Sequence, residues 1–228
     1  MTGVMRTAHG IRHVAKRLRK RPPDDFYPTE QALCDQVVER LTNFPPNGKV
    51  LDPGCGAGPW GQSVKRCYPD AKLIGIEWTA ERIMRAKQGG WLDDYDYVLW
   101  SDFCRTKFPD DMKFGLIIGN PPFKHAERFV MQSLPLLAPG GMLLFLFPLT
   151  FSATIGRYER MFSREQWRPS TIYTLVERPS FTGNNKTDAI DYGLFMWHYD
   201  FTQRTINPLT NHGWFSWKIR QQRLFPAD

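Results

Sequence analysis

The chain has 228 residues, of which 42% are hydrophobic and 23% are charged. This composition excludes a disordered chain and is typical of one globular domain with a sizeable core. The longest apolar stretch, residues 141–148, is too short to span a bilayer, and the N-terminus lacks the apolar segment of a secretory signal. We therefore expect a cytoplasmic protein without a membrane partner. Its four cysteines form no CxxC pair and no zinc-spaced cluster with histidine, so no metal site is predicted.

The net charge of +7 is concentrated at the N-terminus. Residues 1–23 contain seven basic residues and no acid, which leaves 23 basic and 23 acidic residues elsewhere. We predict a basic arm over 1–23 and a single domain over 24–228. A block of positive charge is typical of nucleic-acid binding, and the alternative is a solvated tail that aids solubility. The predicted nucleic-acid contacts are Arg12, Lys16, Arg17, Arg19 and Lys20 in the arm, with Lys124 and Lys186 in the domain.

Hydrophobic spacing then predicts the elements in chain order. A basic amphipathic helix is predicted over residues 11–20, and Thr29 is expected to cap a second helix over 29–41. Predicted strands at 49–52, 71–77, 97–100, 113–119 and 142–147 alternate with helices that end near 64 or span 79–87 and 125–134. Such alternation indicates a mostly parallel sheet with helices on both faces. Two further strands are predicted at 171–176 and 192–199, and we expect a long loop between 150 and 190.

The first of these strands runs into a glycine-rich turn with the sequence DPGCGAG, residues 52–58. Gly54, Gly56 and Gly58 permit positive φ and a close approach of backbone to ligand, and parallel sheets bind ligands at the carboxyl ends of their strands. Asp52 precedes the turn and is expected to face the ligand. Its carboxylate would repel a pyrophosphate and attract a cationic amine or sulfonium.

Acidic residues also end the next two strands. Glu77 follows the glycines by about 20 residues, which is the spacing of the acid that binds ribose hydroxyls in dinucleotide folds. Trp78 could lie against an adenine ring. Asp102 and Phe103 follow the third strand and suit a carboxylate contact to an adenine amino group with an aromatic neighbour. The alternatives are a solvated helix start for Glu77 and a core position for Trp78.

The segment Asn120-Pro121-Pro122-Phe123 follows the apolar fourth strand. Two prolines fix φ and remove two backbone donors, which leaves the Asn120 side-chain oxygen and the Pro121 carbonyl as a rigid pair of acceptors. If both hydrogens of an exocyclic amino group were accepted there, its lone pair would be localised for attack. Phe123 could stack on the base. The alternative is a strand-ending turn with a hydrophobic plug.

At these residues the sequence resembles the class I S-adenosylmethionine-dependent methyltransferases that methylate amino groups, specifically the DNA N6-adenine enzymes. The segment Phe26-Tyr27-Pro28-Thr29 looks like their N-terminal cofactor motif, and Asn120–Phe123 looks like their catalytic motif. The resemblance implies a Rossmann-like α/β fold, whose seven-stranded, mostly parallel sheet ends in a C-terminal antiparallel hairpin. It also implies that S-adenosyl-L-methionine is bound by Tyr27, Pro28, Thr29, Asp52, Pro53, Gly54, Gly56, Glu77, Trp78, Asp102, Phe103 and Asn120.

The implied reaction is direct, in-line attack of the amino nitrogen on the sulfonium methyl group, with the base flipped out of the duplex. Asn120, Pro121, Pro122 and Phe123 would form the catalytic motif. The chain departs from the family in one important respect, because only about thirty residues follow Tyr199, which is short for a recognition domain. Recognition would then depend on the arm, on the 178–190 loop, on the C-terminal tail, or on a homodimer or separate recognition subunit.

Three alternatives remain open. Similar motifs occur in RNA and release-factor glutamine methyltransferases. A degenerate fold that only binds nucleic acid is a second alternative, and the presence of Asp52, Glu77 and Asn120 argues against it. A nicotinamide oxidoreductase is a third, and Asp52 beside the glycines argues against it.

Overall fold

The computed structural model describes residues 28–41, 47–180, 190–200, 205–206 and 211–215. The predicted helix over 11–20 and the basic arm lie outside these residues, as do Tyr27, Lys186 and most of the 178–190 loop.

A mixed sheet forms the centre of the molecule. Its strands are β1 (Lys49–Pro53), β2 (Lys72–Glu77), β3 (Tyr97–Trp100), β4 (Phe114–Gly119), β5 (Leu137–Pro148), β6 (Thr171–Leu175), β7 (Tyr192–Asp200), β8 (Thr205–Ile206) and β9 (Asn211–Phe215). The order along the sheet is β3-β2-β1-β4-β5-β7-β6-β9, with β8 paired to β7. Strands β1 to β5 run parallel, and β7 is antiparallel to both β5 and β6. The expected seven strands with an antiparallel hairpin are thus confirmed, and β9 extends the sheet parallel to β6.

Helices cover both faces of the sheet, as the alternating pattern predicts. The helices are α1 (Gln31–Val38), α2 (Pro59–Cys67), α3 (Ala80–Gln88), α4 (Ala126–Ser133) and a short α5 (Ile155–Arg157). Because successive side chains of a strand point to opposite faces, Val50 packs with α1, α2 and α3, whereas Leu51 packs with α4. The central strand β4 is buried along its whole length, as a strand covered on both sides must be.

One local expectation is wrong. Glu30, rather than Thr29, occupies the N-cap of α1, and it makes no side-chain cap hydrogen bond. The region in which a long loop is expected begins with a series of short helical segments over residues 149–167, and residues 181–189 lie outside the described ranges. Buried aromatic and apolar side chains, among them Phe151 and Met161, pack these segments on the α4 face of the sheet. Within the described ranges, no helix has the length and apolar character needed to cross a membrane.

Candidate active site

The carboxyl ends of four parallel strands meet at one edge of the sheet. In spatial order they are β3, β2, β1 and β4, and the residues that follow or end them are Asp102, Glu77, Gly54 and Asn120. The chain reverses its direction of winding between β1 and β4, which is where open α/β sheets place a ligand crevice. Topology therefore collects the sequence-predicted motifs at this edge.

A cavity of about 820 Å³ opens at this edge. This volume lies within the range of about 300–1,000 Å³ typical of small-molecule sites. The predicted residues on its wall are Pro28, Thr29, Gly54, Gly56, Glu77, Trp78, Asp102, Phe103, Asn120, Pro122 and Lys124. Asp52, Pro53, Pro121 and Phe123 do not line it. The cavity wall thus contains nine of the twelve predicted cofactor residues, whereas Asp52 and Pro53 do not reach it and Tyr27 lies outside the described residues.

The glycine turn adopts the backbone conformation that its sequence predicts. Gly54, Gly56 and Gly58 have φ of 76°, 55° and 79°, which favours glycine. The Gly54 N–H donates to the Ile76 carbonyl at 2.6 Å, so the turn is tied to the end of β2. A Cβ at Gly58 would lie 2.5 Å from the Trp91 carbonyl oxygen. The first glycine therefore exposes backbone to the cavity, and the last allows the following loop to pack against the turn.

Glu77 is buried, with 2% of its surface exposed, yet it contributes to the cavity wall. Its Oε2 accepts from the Gly56 N–H at 3.2 Å, and Oε1 accepts from the Thr79 N–H at 2.9 Å. Arg82 Nη1 lies 3.4 Å from Oε1. These donors orient the carboxylate beside the glycine turn, where its remaining acceptor capacity suits ligand hydroxyl groups.

Asp52 lies one layer deeper than the sequence suggests. Its carboxylate is fully buried, Oδ2 accepts from the Tyr95 hydroxyl at 2.6 Å, and Oδ1 has no hydrogen-bond partner among the described residues. Burial raises the pKa of Asp52 to about 7, the Tyr95 hydrogen bond opposes this shift, and the nearby Glu77 charge adds to it. Asp52 therefore acts on the site from behind the turn, through its charge and through Tyr95.

Asp102 and Phe103 begin a short helical turn at the end of β3. The Asp102 Oδ1 accepts from the Cys104 N–H at 3.0 Å, which fixes the carboxylate at the mouth of the cavity. The Phe103 ring is buried and lies 5.0 Å from the Phe129 ring. Phe103 thus supports the wall from the core, whereas Asp102 presents a polar group to the cavity.

Asn120 follows β4 and lines the cavity between the glycine turn and α4. Its Nδ2 donates to Thr29 Oγ1 at 3.1 Å. This hydrogen bond joins residues 91 positions apart. Because Thr29 accepts from the amide nitrogen, the bond fixes which way the amide is turned and therefore the position of Oδ1, which can only accept. Phe123 is half-buried, and its ring lies 5.7 Å from that of Tyr192. The segment Asn120–Phe123, which we call the Asn120 corner, is therefore held by Thr29 before α1 and by Tyr192 of β7.

The cavity contains residues that the sequence patterns did not indicate. They are Gln31, Trp60, Arg82, Trp91, His125, Arg128 and Phe129. Lys124, His125 and Arg128 are exposed, and the two cations Lys124 and Arg128 form a cationic rim beside the Asn120 corner. The basic residues that follow Phe123 in the sequence were the available signal for this rim. Tyr95 carried no signal, because its role depends on the packing of a loop against α2 and against strands β1 and β2, which are distant in sequence.

The chain is similar in sequence to known proteins. The methyltransferase small domain family matches residues 32–152. A type II methyltransferase, M.CvrRI, of Paramecium bursaria Chlorella virus XZ-6E is 31% identical over 112 residues, which cover 47% of this chain and 27% of the viral protein. Ribosomal RNA large subunit methyltransferase G of Shewanella loihica is 30% identical over 111 residues, which cover 41% of this chain and 27% of that protein. The chain thus spans about a quarter of the length of these curated relatives.

The fold is also similar to solved structures. The M protein of the type I restriction enzyme EcoKI superposes with a TM-score of 0.61 at 15% identity, covering 82% of this chain and 47% of the M protein. At this level of identity the likeness concerns the fold, which is that of the class I methyltransferases.

Proposed function

Because the chain belongs to the methyltransferase small domain family, we propose that it methylates N6 of adenine in DNA. S-adenosylmethionine is the methyl donor. The observation that carries the proposal is the position of Asn120, whose amide is oriented by Thr29 on the wall of the cavity that the glycine turn also lines. An acceptor fixed at this place suits an amino group as the methyl acceptor.

The residues present fit the donor. The glycine turn lines the cavity without side chains at Gly54 and Gly56, Glu77 offers a buried and oriented carboxylate for ribose hydroxyls, and Asp102 offers an acceptor at the mouth for an amino group. Trp78 provides an aromatic surface on the same wall. We propose that these residues, with Thr29, Pro28 and Phe103, form the donor site. When bound, the donor supplies an electrophilic methyl group.

The Asn120 corner would then position the acceptor. Asn120 Oδ1 and the Pro121 carbonyl accept the two hydrogens of the adenine amino group, which localises the nitrogen lone pair and points it at the methyl group. Most of the acceleration comes from this positioning. A strong general base is not required, because the methylated ammonium is acidic enough to release its proton to water.

DNA is the preferred substrate for two reasons. The segment Phe26–Thr29 resembles the N-terminal motif of the DNA enzymes, and its last residue, Thr29, holds Asn120. One relative is a viral type II methyltransferase. RNA is the second candidate, since another relative acts on ribosomal RNA by name.

The test is transfer of labelled methyl from S-adenosylmethionine to DNA, to ribosomal RNA and to a release factor in parallel, with nucleoside analysis by mass spectrometry. N6-methyladenine in DNA is the expected product. Label found only in RNA or protein contradicts DNA as the substrate but is consistent with methylation of an amino group. Absence of S-adenosylmethionine binding by calorimetry contradicts catalysis and favours a non-catalytic nucleic-acid-binding module.

A further inference from the structure

Residues 153–163 form a helical projection at the same edge of the sheet as Asn120. They follow β5, whose carboxyl end lies beside that of β4. Two large apolar side chains of this projection are exposed, with 81% of the surface of Ile155 and 55% of that of Tyr158 accessible. Tyr158 lies three positions after Ile155, and its N–H bonds to the Thr154 carbonyl, so both side chains lie on one face of the turn.

The projection is held firmly from below. The Arg160 guanidinium makes two hydrogen bonds to the Glu127 carboxylate, at 2.9 and 3.0 Å. Arg157 Nη1 donates to the Phe151 carbonyl at 2.6 Å, and its guanidinium carbon lies 4.5 Å from the centre of the Phe151 ring. Phe151 stacks on Phe147 with the ring centres 4.3 Å apart. These contacts hold the backbone of the projection in place, so Ile155 and Tyr158 are exposed on a rigid segment.

The contacts that anchor the projection also place it beside the cavity. Glu127 lies on α4 between His125 and Arg128, which both line the cavity. Its carboxylate anchors Arg160 and also lies 4.0 Å from Arg157 Nε. The projection therefore stands next to the cationic rim.

The charge of this surface favours a nucleic-acid partner. Residues 153–168 contain four arginines and two glutamates, and the neighbouring rim adds Lys124 and Arg128. Glu127 pairs with Arg157 and Arg160, so the surface as a whole has an excess of three positive charges. Cations of this kind contact phosphates, whereas exposed apolar side chains enter a duplex between base steps and unstack them. An adenine within a duplex must be extruded before its N6 can reach Asn120.

We propose that Ile155 and Tyr158 form a wedge that enters duplex DNA beside the target adenine, while the cationic rim holds the flanking phosphates. This inference rests on the proposed function. The wedge contributes to base extrusion rather than to donor binding.

The test compares the wild-type chain with the double variant Ile155→Ala/Tyr158→Ala on duplex DNA and on the same DNA after heat denaturation. We expect kcat/KM on duplex DNA to fall about tenfold or more, because the variant lacks the side chains that unstack the base steps beside the target adenine. A smaller fall is expected on denatured DNA. The donor dissociation constant stays unchanged, and Ile155→Ala/Tyr158→Phe, which keeps the ring, retains more activity on duplex DNA than the double alanine variant.

The matched control is Met84→Ala, which removes a side chain of 57% exposure from α3 on the other face of the sheet. It is expected to match the wild type on both DNAs. The wedge is overturned if the double variant matches the wild type on duplex DNA, if both DNAs lose activity equally, or if the wild type methylates only denatured DNA. A wild-type chain that produces no N6-methyladenine contradicts the proposed function itself.

Discussion

The Tyr95 hydroxyl joins the end of β1 to the beginning of α2. It donates to Asp52 Oδ2 at 2.6 Å and accepts from the Gly61 N–H at 3.2 Å. The ring fits against two glycines, because a Cβ at Gly61 would lie 2.2 Å from it and a Cβ at Gly75 would lie 2.8 Å from it. Tyr95 thus fixes the floor beneath the glycine turn.

Replacing Tyr95 by phenylalanine tests this role. Tyr95→Phe leaves a buried carboxylate and a buried N–H without their partner, so we expect the free energy of unfolding to fall by about 1–3 kcal/mol. Donor affinity falls as well, because Asp52 and the turn lose their support. The control is Tyr97→Phe, which removes the same hydroxyl from a side chain of 65% exposure on β3. Urea unfolding and calorimetry measure both effects, and equal behaviour of the two variants would contradict the assignment.

The buried Asp52 makes stability depend on pH. Its pKa is about 7 in the folded chain, against an ordinary value of 3.8, chiefly because burial disfavours the charged form. Between these values the folded chain retains a proton that the unfolded chain releases, so this contribution to stability decreases as pH rises from about 4 to about 7. Asp52→Asn removes this dependence.

We therefore expect Asp52→Asn to gain stability relative to the wild type as pH rises, by up to roughly 1.4 kcal/mol per pH unit in that window. Urea unfolding of the donor-free chain at pH 4.5, 6 and 8 measures the difference. The same variant binds the donor more weakly at pH 8, where the wild-type carboxylate is charged. A stability difference that stays constant with pH would show that Asp52 is not the group responsible.

Gly58 and Gly48 form a matched pair for the close approach at the turn. Both have positive φ, 79° and 69°, but only a Cβ at Gly58 would meet another atom, the Trp91 carbonyl oxygen at 2.5 Å. Alanine at either position incurs the backbone strain of about 1–2 kcal/mol. Gly58→Ala adds a steric cost of about 1–3 kcal/mol and weakens donor binding. Thermal unfolding measures the stability of the two variants, and calorimetry measures their donor affinity. Equal losses of stability and affinity in both variants would mean that the contact between Gly58 and the Trp91 carbonyl is unimportant.

The sequence predicted the sheet and the strand-end motifs because both depend on local pattern. Buried strands such as Phe114–Gly119 are continuous apolar runs, and Gly54 and Asn120 follow their strands directly. Contacts made by tertiary packing had no such signal. Thr29 looked like a helix cap from its neighbours alone, yet its hydroxyl contacts Asn120, 91 residues away.

Asn120→Ala tests the catalytic corner. The variant loses the side-chain acceptor for the amino group but keeps the glycine turn and Glu77, so turnover should be abolished while donor affinity changes little. Labelled methyl transfer and calorimetry measure the two quantities on the same preparation. Wild-type turnover in Asn120→Ala would contradict the mechanism. Loss of both turnover and donor binding would assign the residue to the donor site instead.

Thr29 should act through Asn120. It is buried, with 9% of its surface exposed, and its Oγ1 accepts from Asn120 Nδ2 at 3.1 Å. Thr29→Val keeps the shape and removes the acceptor, so the amide of Asn120 loses the contact that selects its orientation. A hydrogen bond of this kind is worth about 0.5–1.5 kcal/mol, which corresponds to a fall in kcat of up to about tenfold.

Thr29→Ser keeps the hydroxyl and should remain closer to the wild type. Because a purely structural loss would lower thermal stability in proportion to activity, unfolding temperatures are measured beside kcat. Equal kcat for the valine and serine variants would show that packing of Thr29, rather than its hydrogen bond, supports the site.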